Sequence, residues 1–408
     1  MRRRCVLLLI DGLGDLPVDS LGGLTPLEAA ATPNLDRLAS RGHYGLLDPV
    51  GVGEVPNTHS GSGMLFGVFP SDTDRLTRGP VEASGAGRSL QAGEIAVRAN
   101  FATLEHHTEG WLVRDRRAGR ISEGTEELAE ALGEVELGDG VYASLQPTDQ
   151  HRCVLVLGGP GLDPSISDTD PGDQGGSSLL RRCKPLRPEA ERTAGKINRF
   201  VELALARLED HPVNRKRRAA GLLPANGIIT RGAGAAFQLD NVLRERGIRT
   251  AVIAGCNTVR GLARILGFTA VSDPRFTATV ETDLEAKVAA ALQALESHDL
   301  VFVHVKAPDL LAHDRKPRGK RDFLERLDLA LSPLEAAGVI VGLTADHTTD
   351  SNSGTHTSDP VPTLLYVPPG SAGMGESVQF GERSCRRGNL PRQSSHEFVL
   401  RVAELMGF

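Results

Sequence analysis

The sequence predicts a doubly wound α/β core with a mostly parallel sheet, interrupted by a smaller α+β unit. Short apolar runs, each followed by a Gly- or Asp-bearing turn and then a helix-period stretch, are the pattern of parallel strands buried on both faces. The middle of the chain is shorter in period and rich in turns, which marks the inserted unit. Its 408 residues suffice for two or three compact units. With 40% apolar and 24% charged residues the chain is a folded globular protein rather than a disordered one. A net charge of -6 gives no reason to expect a nucleic-acid partner.

The elements follow in order. Arg2 to Arg4 and then Cys5 to Ile10 look like a secretory leader, but the apolar run is short and ends in Asp11-Gly12, so Val6 to Ile10 is read as a buried first strand. Pro33 to Arg41 reads as a helix stopped by Gly42. Pro56 to Gly63 leads into Met64 to Phe66 as the start of another helix. The inserted unit is placed at 72–187, with strands at Glu94 to Asn100, Gly110 to Val113 and His151 to Leu157, a helix at Thr125 to Leu132, and a long loop from Gly158 to Ser178. The core, 1–71 and 188–408, then resumes with strands at Ala251 to Ala254, Leu300 to Val305 and Val339 to Leu343. Helices are expected at Ala235 to Arg246, Thr282 to Ser297 and Lys320 to Leu334, with Gly247 and Gly338 as stops.

No run reaches the ~18 apolar residues of a membrane span, so no membrane partner is expected. Cys5, Cys153, Cys183, Cys256 and Cys385 form no CxxC pair; they indicate neither a disulfide framework nor a thiolate zinc site, and a reducing cytoplasm fits them.

In open parallel sheets ligands bind beyond the carboxyl ends of the strands. Asp11 follows the first run, Asp309 and His313 follow Leu300 to Val305, and Asp346-His347 follows Val339 to Leu343, with His356 close behind. Asp309 and His313 have the i, i+4 spacing of one helical face. Three Asp and three His at one crevice are a donor set for two divalent cations. Thr58, Ser60 and Ser62, at the start of a helix, are each eligible as the hydroxyl such cations would activate. The same Ser and Thr positions also suit a helix cap.

Further segments accompany these motifs: Leu24-Thr25-Pro26-Leu27-Glu28, Thr32-Pro33-Asn34-Leu35-Asp36, Arg78-Gly79-Pro80-Val81-Glu82-Ala83, Asn100-Phe101-Ala102-Thr103 and Asp115-Arg116-Arg117-Ala118-Gly119-Arg120. They continue through Ser167-Asp168-Thr169-Asp170-Pro171, His211-Pro212-Val213-Asn214, Pro224-Ala225-Asn226 and Thr230-Arg231-Gly232-Ala233-Gly234. With them the chain resembles, nearly end to end, the archaeal-type cofactor-independent phosphoglycerate mutases of the alkaline phosphatase superfamily. The resemblance implies an alkaline-phosphatase-like α/β core with an inserted cap. It assigns Asp11, Thr58, Asp346 and His347 to one metal ion and Asp309, His313 and His356 to the other; by its chemistry the mixed Asp/His donor set suits Zn²⁺ and Mn²⁺ alike, ahead of Mg²⁺ or Co²⁺. Thr58 becomes the nucleophile, with Asp115, Arg231 and Lys306 beside it as catalytic candidates. Asn57, His59, Arg98, Arg116, Arg117 and Arg120 become substrate-binding candidates, guanidinium forks being suited to carboxylate and phosphate.

The implied reaction is an intramolecular phosphoryl shift on 2- or 3-phosphoglycerate or a close analogue. Departures lie at the nucleophile loop, where the family usually has Ser and this chain has Thr58, with His59 in place of an acidic neighbour and Ser62 in place of a later His. They motivate an alternative, transfer or diester hydrolysis of a phosphonyl or nucleotide-linked phosphoryl group in secondary metabolism.

Overall fold

The computed structural model describes residues 2–172, 178–237, 239–369 and 378–408. The chain divides into two compact units, Met1–Leu76 with Gln238–Phe408, and Thr77–Phe237.

The first unit is built on an eight-stranded sheet ordered Thr269–Val271, Thr250–Ile253, Leu300–Val305, Cys5–Ile10, Ile340–Thr344, Val361–Tyr366, His43–Asp48, Gln393–Ser394. Cys5–Ile10 is buried at every position and paired in parallel on both edges, which explains its unbroken apolar run. Val361–Tyr366 runs antiparallel to both of its neighbours. The four apolar runs read from the sequence all form strands of this sheet.

The helices depart from expectation in three places, the first being that Met64 to Phe66 stands at the end of a helix, Thr58–Leu65, rather than at its start. Ala235 to Arg246 is not one helix: the Gly227–Ala235 strand takes its beginning, and among the described residues only Val242–Glu245 is helical, capped by the Asn241 side chain accepting from the Arg244 N–H at 2.9 Å. Lys320 to Leu334 is two helices, Pro317–Ala330 and Ser332–Ala336, because Pro333 lacks the N–H a continuous helix needs and serves instead as the opening of the second.

The second unit is a seven-stranded sheet whose pairings are antiparallel. Its central strand, Ile95–His107, pairs with Arg152–Gly158 on one edge and Gly227–Ala235 on the other. The sequence reading ends this unit at residue 187, and the structure carries it on through Phe237. The physical reason is the Glu191–Leu208 helix, which buries Ala194, Ile197, Phe200, Ala204 and Leu208 in the inserted unit's own core, after which Gly227–Ala235 completes the sheet. Of the long loop expected at Gly158 to Ser178, residues 173–177 lie outside the described residues. No helix among the described residues is long and apolar enough to cross a membrane.

Candidate functional site

Register brings the first residues together. Ile10 pairs with Val305 and Leu9 with Thr344, so Asp11, Lys306 and Asp346 come level with one another just past the ends of three adjacent strands. Asp309 and His313 project from one face of the Ala307–His313 helix that follows. A hairpin of Thr348–Asp350 and Thr355–Thr357 sets His356 directly opposite Thr349. Two glycines allow this convergence, one in the turn after the first strand and one inside the Thr58–Leu65 helix. Gly12 has φ 63°, and a Cβ there would meet Thr349 Oγ1 at 2.6 Å. A Cβ on Gly61 would lie 2.0 Å from the Asp346 carbonyl oxygen, so only glycine lets the Thr58–Leu65 helix approach the strand end.

Two groups of donors result: Asp11, Asp346 and His347, and Asp309, His347 and His356, the ligand atoms of each lying within 4.8 Å of one another. His313 Nε2 is 3.2 Å from Asp309 Oδ1 and 3.2 Å from His356 Nε2. Both imidazoles have a carbonyl at the other nitrogen: His313 Nδ1 lies 2.7 Å from the Gly354 oxygen and His356 Nδ1 3.1 Å from the Pro56 oxygen. A carbonyl can only accept, so Nδ1 is the nitrogen that carries the proton in the neutral form of each ring, and Nε2, the one turned toward Asp309, is then the lone-pair donor. On the other side Asp346 Oδ2, buried and with no hydrogen-bond partner among the described residues, faces His347 Nε2 at 3.4 Å. Lone pairs converging on lone pairs, with an orphaned carboxylate oxygen among them, fit divalent cations as the groups these residues hold.

The three eligible hydroxyls separate. Ser60 Oγ is spent in a capping box, 3.1 Å from both the amide nitrogen and the carbonyl oxygen of Asn57. Ser62 Oγ is buried without a hydrogen-bond partner among the described residues. Thr58, the first residue of the helix, puts Oγ1 3.2 Å from Lys306 Nζ and 3.4 Å from His347 Nε2. Asn57, expected at the substrate, caps this helix by accepting from the His59 and Ser60 amides at 3.1 and 3.2 Å.

Burial would raise the Asp11 and Asp309 carboxyls, but the Lys306 ammonium, 2.9 Å from Asp11 and 2.7 Å from Asp309, holds both well below the ordinary range. Burial, reinforced by the Asp11 charge, pushes Asp346 far up. Burial also pushes His347 down to about 4, against the pull of Asp11. His347 is thereby kept as the neutral imidazole a cation requires.

Arg98, Asp115, Arg116, Arg117, Arg120 and Arg231 all lie in the inserted unit. Arg116 is forked onto Asp170 at 2.7 and 2.6 Å, and Arg231 Nε stands 3.9 Å from the same carboxylate. Asp115 Oδ1 accepts from the Arg117 amide at 2.6 Å. Arg98 lies 3.7 Å from Glu82. The positive charge is dense: Arg231 is pushed down to about 10 by burial and by Arg78, and His151 to about 2 by burial and by Arg152, Arg117, Arg98 and Arg120. Such a cluster is suited to an anion carrying several oxygens.

Residues 39–214 match the family described as 2,3-bisphosphoglycerate-independent phosphoglycerate mutase. A protein of that name from Methanopyrus kandleri is 40% identical over 403 residues, covering 97% of this chain and 94% of its own length. One from Archaeoglobus fulgidus is 41% identical over 396 residues, covering 95% and 94%. The chain belongs to this family. Among solved structures, a Pyrococcus horikoshii protein superposes with a TM-score of 0.81 at 30% identity, covering 100% of this chain and 98% of its own. The cofactor-independent phosphoglycerate mutase of Thermoplasma acidophilum gives 0.66 at 31%, covering 99% and 100%. As a member of the family the chain is an isomerase-type phosphotransferase, and the expected fold class holds.

Sequence reasoning missed His304, whose Nε2 is 3.0 Å from Asp11 Oδ2, and Thr349, which touches both Asp309 and His347. A histidine inside the apolar Leu300–Val305 run is a usable signal for the first. A threonine in a strand carries none for the second.

Proposed function

We propose that this chain interconverts 2- and 3-phosphoglycerate through a phosphorylated Thr58. The placement of Thr58 Oγ1, at a helix N-terminus and between Lys306 Nζ at 3.2 Å and His347 Nε2 at 3.4 Å, carries this reading. Asp11, Thr58, Asp346 and His347 would hold one divalent cation and Asp309, His313 and His356 the other, with His347 in reach of both groups. Three imidazoles among carboxylates favour Zn²⁺ or Mn²⁺. Bound there, such cations supply Lewis acidity, making a hydroxyl a stronger nucleophile and drawing charge off a phosphoryl oxygen.

Thr58 Oγ attacks the phosphorus and the bond from phosphorus to the substrate's carbon-linked oxygen breaks. That oxygen takes a proton, matching the one Thr58 gave up. The adjacent hydroxyl of the bound glycerate then attacks the phosphorus, the Thr58 Oγ–P bond breaks, and the hydroxyl form of Thr58 returns. Lys306 donates to Thr58 Oγ1 and offsets the charge that develops on it. Within the inserted unit, Arg98, Arg117, Arg120 and Arg231 carry guanidinium groups of the kind that binds phosphate and carboxylate oxygens. The test is mutase turnover with added Mn²⁺. Wild type and Thr58→Ser should turn over, and Thr58→Ala should fall by at least about a thousandfold. Equal turnover by wild type and Thr58→Ala would refute the covalent route.

A further inference from the structure

Thr349 is buried in the Thr348–Asp350 strand, opposite His356. Its Oγ1 lies 2.9 Å from Asp309 Oδ1 and 3.0 Å from His347 Nδ1. Asp309 is paired with the Lys306 ammonium at 2.7 Å and is therefore an acceptor. The single hydroxyl proton of Thr349 goes to Asp309, so Thr349 must accept from His347, which places the proton on Nδ1. Nε2 is then bare, and it is the nitrogen that faces Asp11 Oδ1 at 3.3 Å, Asp346 Oδ2 at 3.4 Å and Thr58 Oγ1 at 3.4 Å.

We propose that the Thr349 hydroxyl is a positioning group joining the two cation positions, fixing the tautomer of His347 and the aim of Asp309 with one oxygen. The proposal rests on the metal reading above. It has two structural supports. The backbone N–H of Thr349 donates to the Gly14 oxygen at 3.0 Å and its own carbonyl accepts from the buried Lys320 ammonium at 3.3 Å, so the residue is pinned from both sides. The space over its hydroxyl is closed by Gly12, where even a methyl would lie 2.6 Å from Oγ1. Outer partners of metal ligands are worth about 10- to 100-fold in affinity each.

The test is Mn²⁺ binding to the purified full chain, stripped of metal, measured by titration against a competing chelator. Thr349→Val keeps the shape and loses the hydroxyl, and Thr349→Ser keeps the hydroxyl and loses the methyl. Wild type should bind two Mn²⁺ per chain, Thr349→Val should bind both about 10- to 100-fold more weakly, and Thr349→Ser should stay within a few-fold of wild type. Thermal unfolding of each metal-free variant separates this from a folding defect, since the Val and Ser forms should melt close to wild type. Two unchanged sites in Thr349→Val, or weakening of one site alone, would overturn the proposal. So would equal weakening in Thr349→Ser. Failure of the wild type to take up Mn²⁺ would instead refute the metal reading, and this inference with it.

Discussion

Lys306 stands 2.9 Å from Asp11, 2.7 Å from Asp309 and 3.2 Å from the Thr58 hydroxyl, three contacts made by one buried ammonium. Removing a partner from a buried ion pair leaves a charge without compensation, at a cost of about 3–5 kcal/mol. Lys306→Met should therefore destabilise the metal-free chain by that order. Mn²⁺ should raise the melting temperature of the variant by more than it raises that of wild type, because cation binding restores the missing positive charge. Equal shifts in a thermal-melt comparison would count against the electrostatic account. At this scale the candidate ligand residues are legible because Asp11, Asp309, His313, Asp346, His347 and His356 all follow apolar runs. The choice among Thr58, Ser60 and Ser62 was not legible from spacing alone, since all three occupy one short helical start and only the geometry shows which oxygen is free to face Lys306.

Between elements, the turn after the first strand is held by buried polar contacts. The Asp15 amide donates to Glu382 Oε1 at 3.1 Å, the Thr25 hydroxyl to Glu382 Oε2 at 2.6 Å, and Lys320 Nζ to Asp15 Oδ2 at 2.7 Å. Burial pushes Glu382 up to about 7 despite the Thr25 hydrogen bond, with the Glu28 charge adding to the rise. The folded chain thus binds a proton at Glu382 more tightly than the unfolded chain does. This contribution is complete below pH 4.5, the ordinary glutamate value, and is lost as the pH rises through about 7. Glu382→Gln removes it. The stability of wild type relative to the variant should fall by on the order of 3 kcal/mol across that window. Urea unfolding at several pH values measures it, and a constant difference would contradict the assignment. The parallel strands were legible because burial on both faces leaves unbroken apolar runs. The expected helix at Ala235 to Arg246 was not, because the Gly227–Ala235 strand uses its first residue to complete a sheet whose other strands lie far away in sequence.

Across the whole molecule, the inserted unit has its own hydrophobic core. Phe200 is fully buried in it, on the helix that the sequence reading assigned to the other unit. The amphipathic period of Glu191–Leu208 says that one face is buried but not against which partner, which is why the boundary was placed too early. Phe200→Ala should destabilise the inserted unit by about 3–5 kcal/mol. Mn²⁺ affinity, a property of residues in the other unit, should stay unchanged. Loss of Mn²⁺ affinity in parallel with stability would show that the units do not behave as separate cores.

On the proposed route it is Thr58 that carries the phosphoryl group between the two substrate oxygens. The most direct measurement of this is peptide mass spectrometry of the Mn²⁺-loaded enzyme, acid-quenched during turnover of 3-phosphoglycerate. Wild type should carry a phosphate on Thr58, Thr58→Ser on the new serine, and Thr58→Ala on no residue of the same peptide. Phosphate on Ser60 or Ser62, or turnover with an unmodified peptide, would contradict this route.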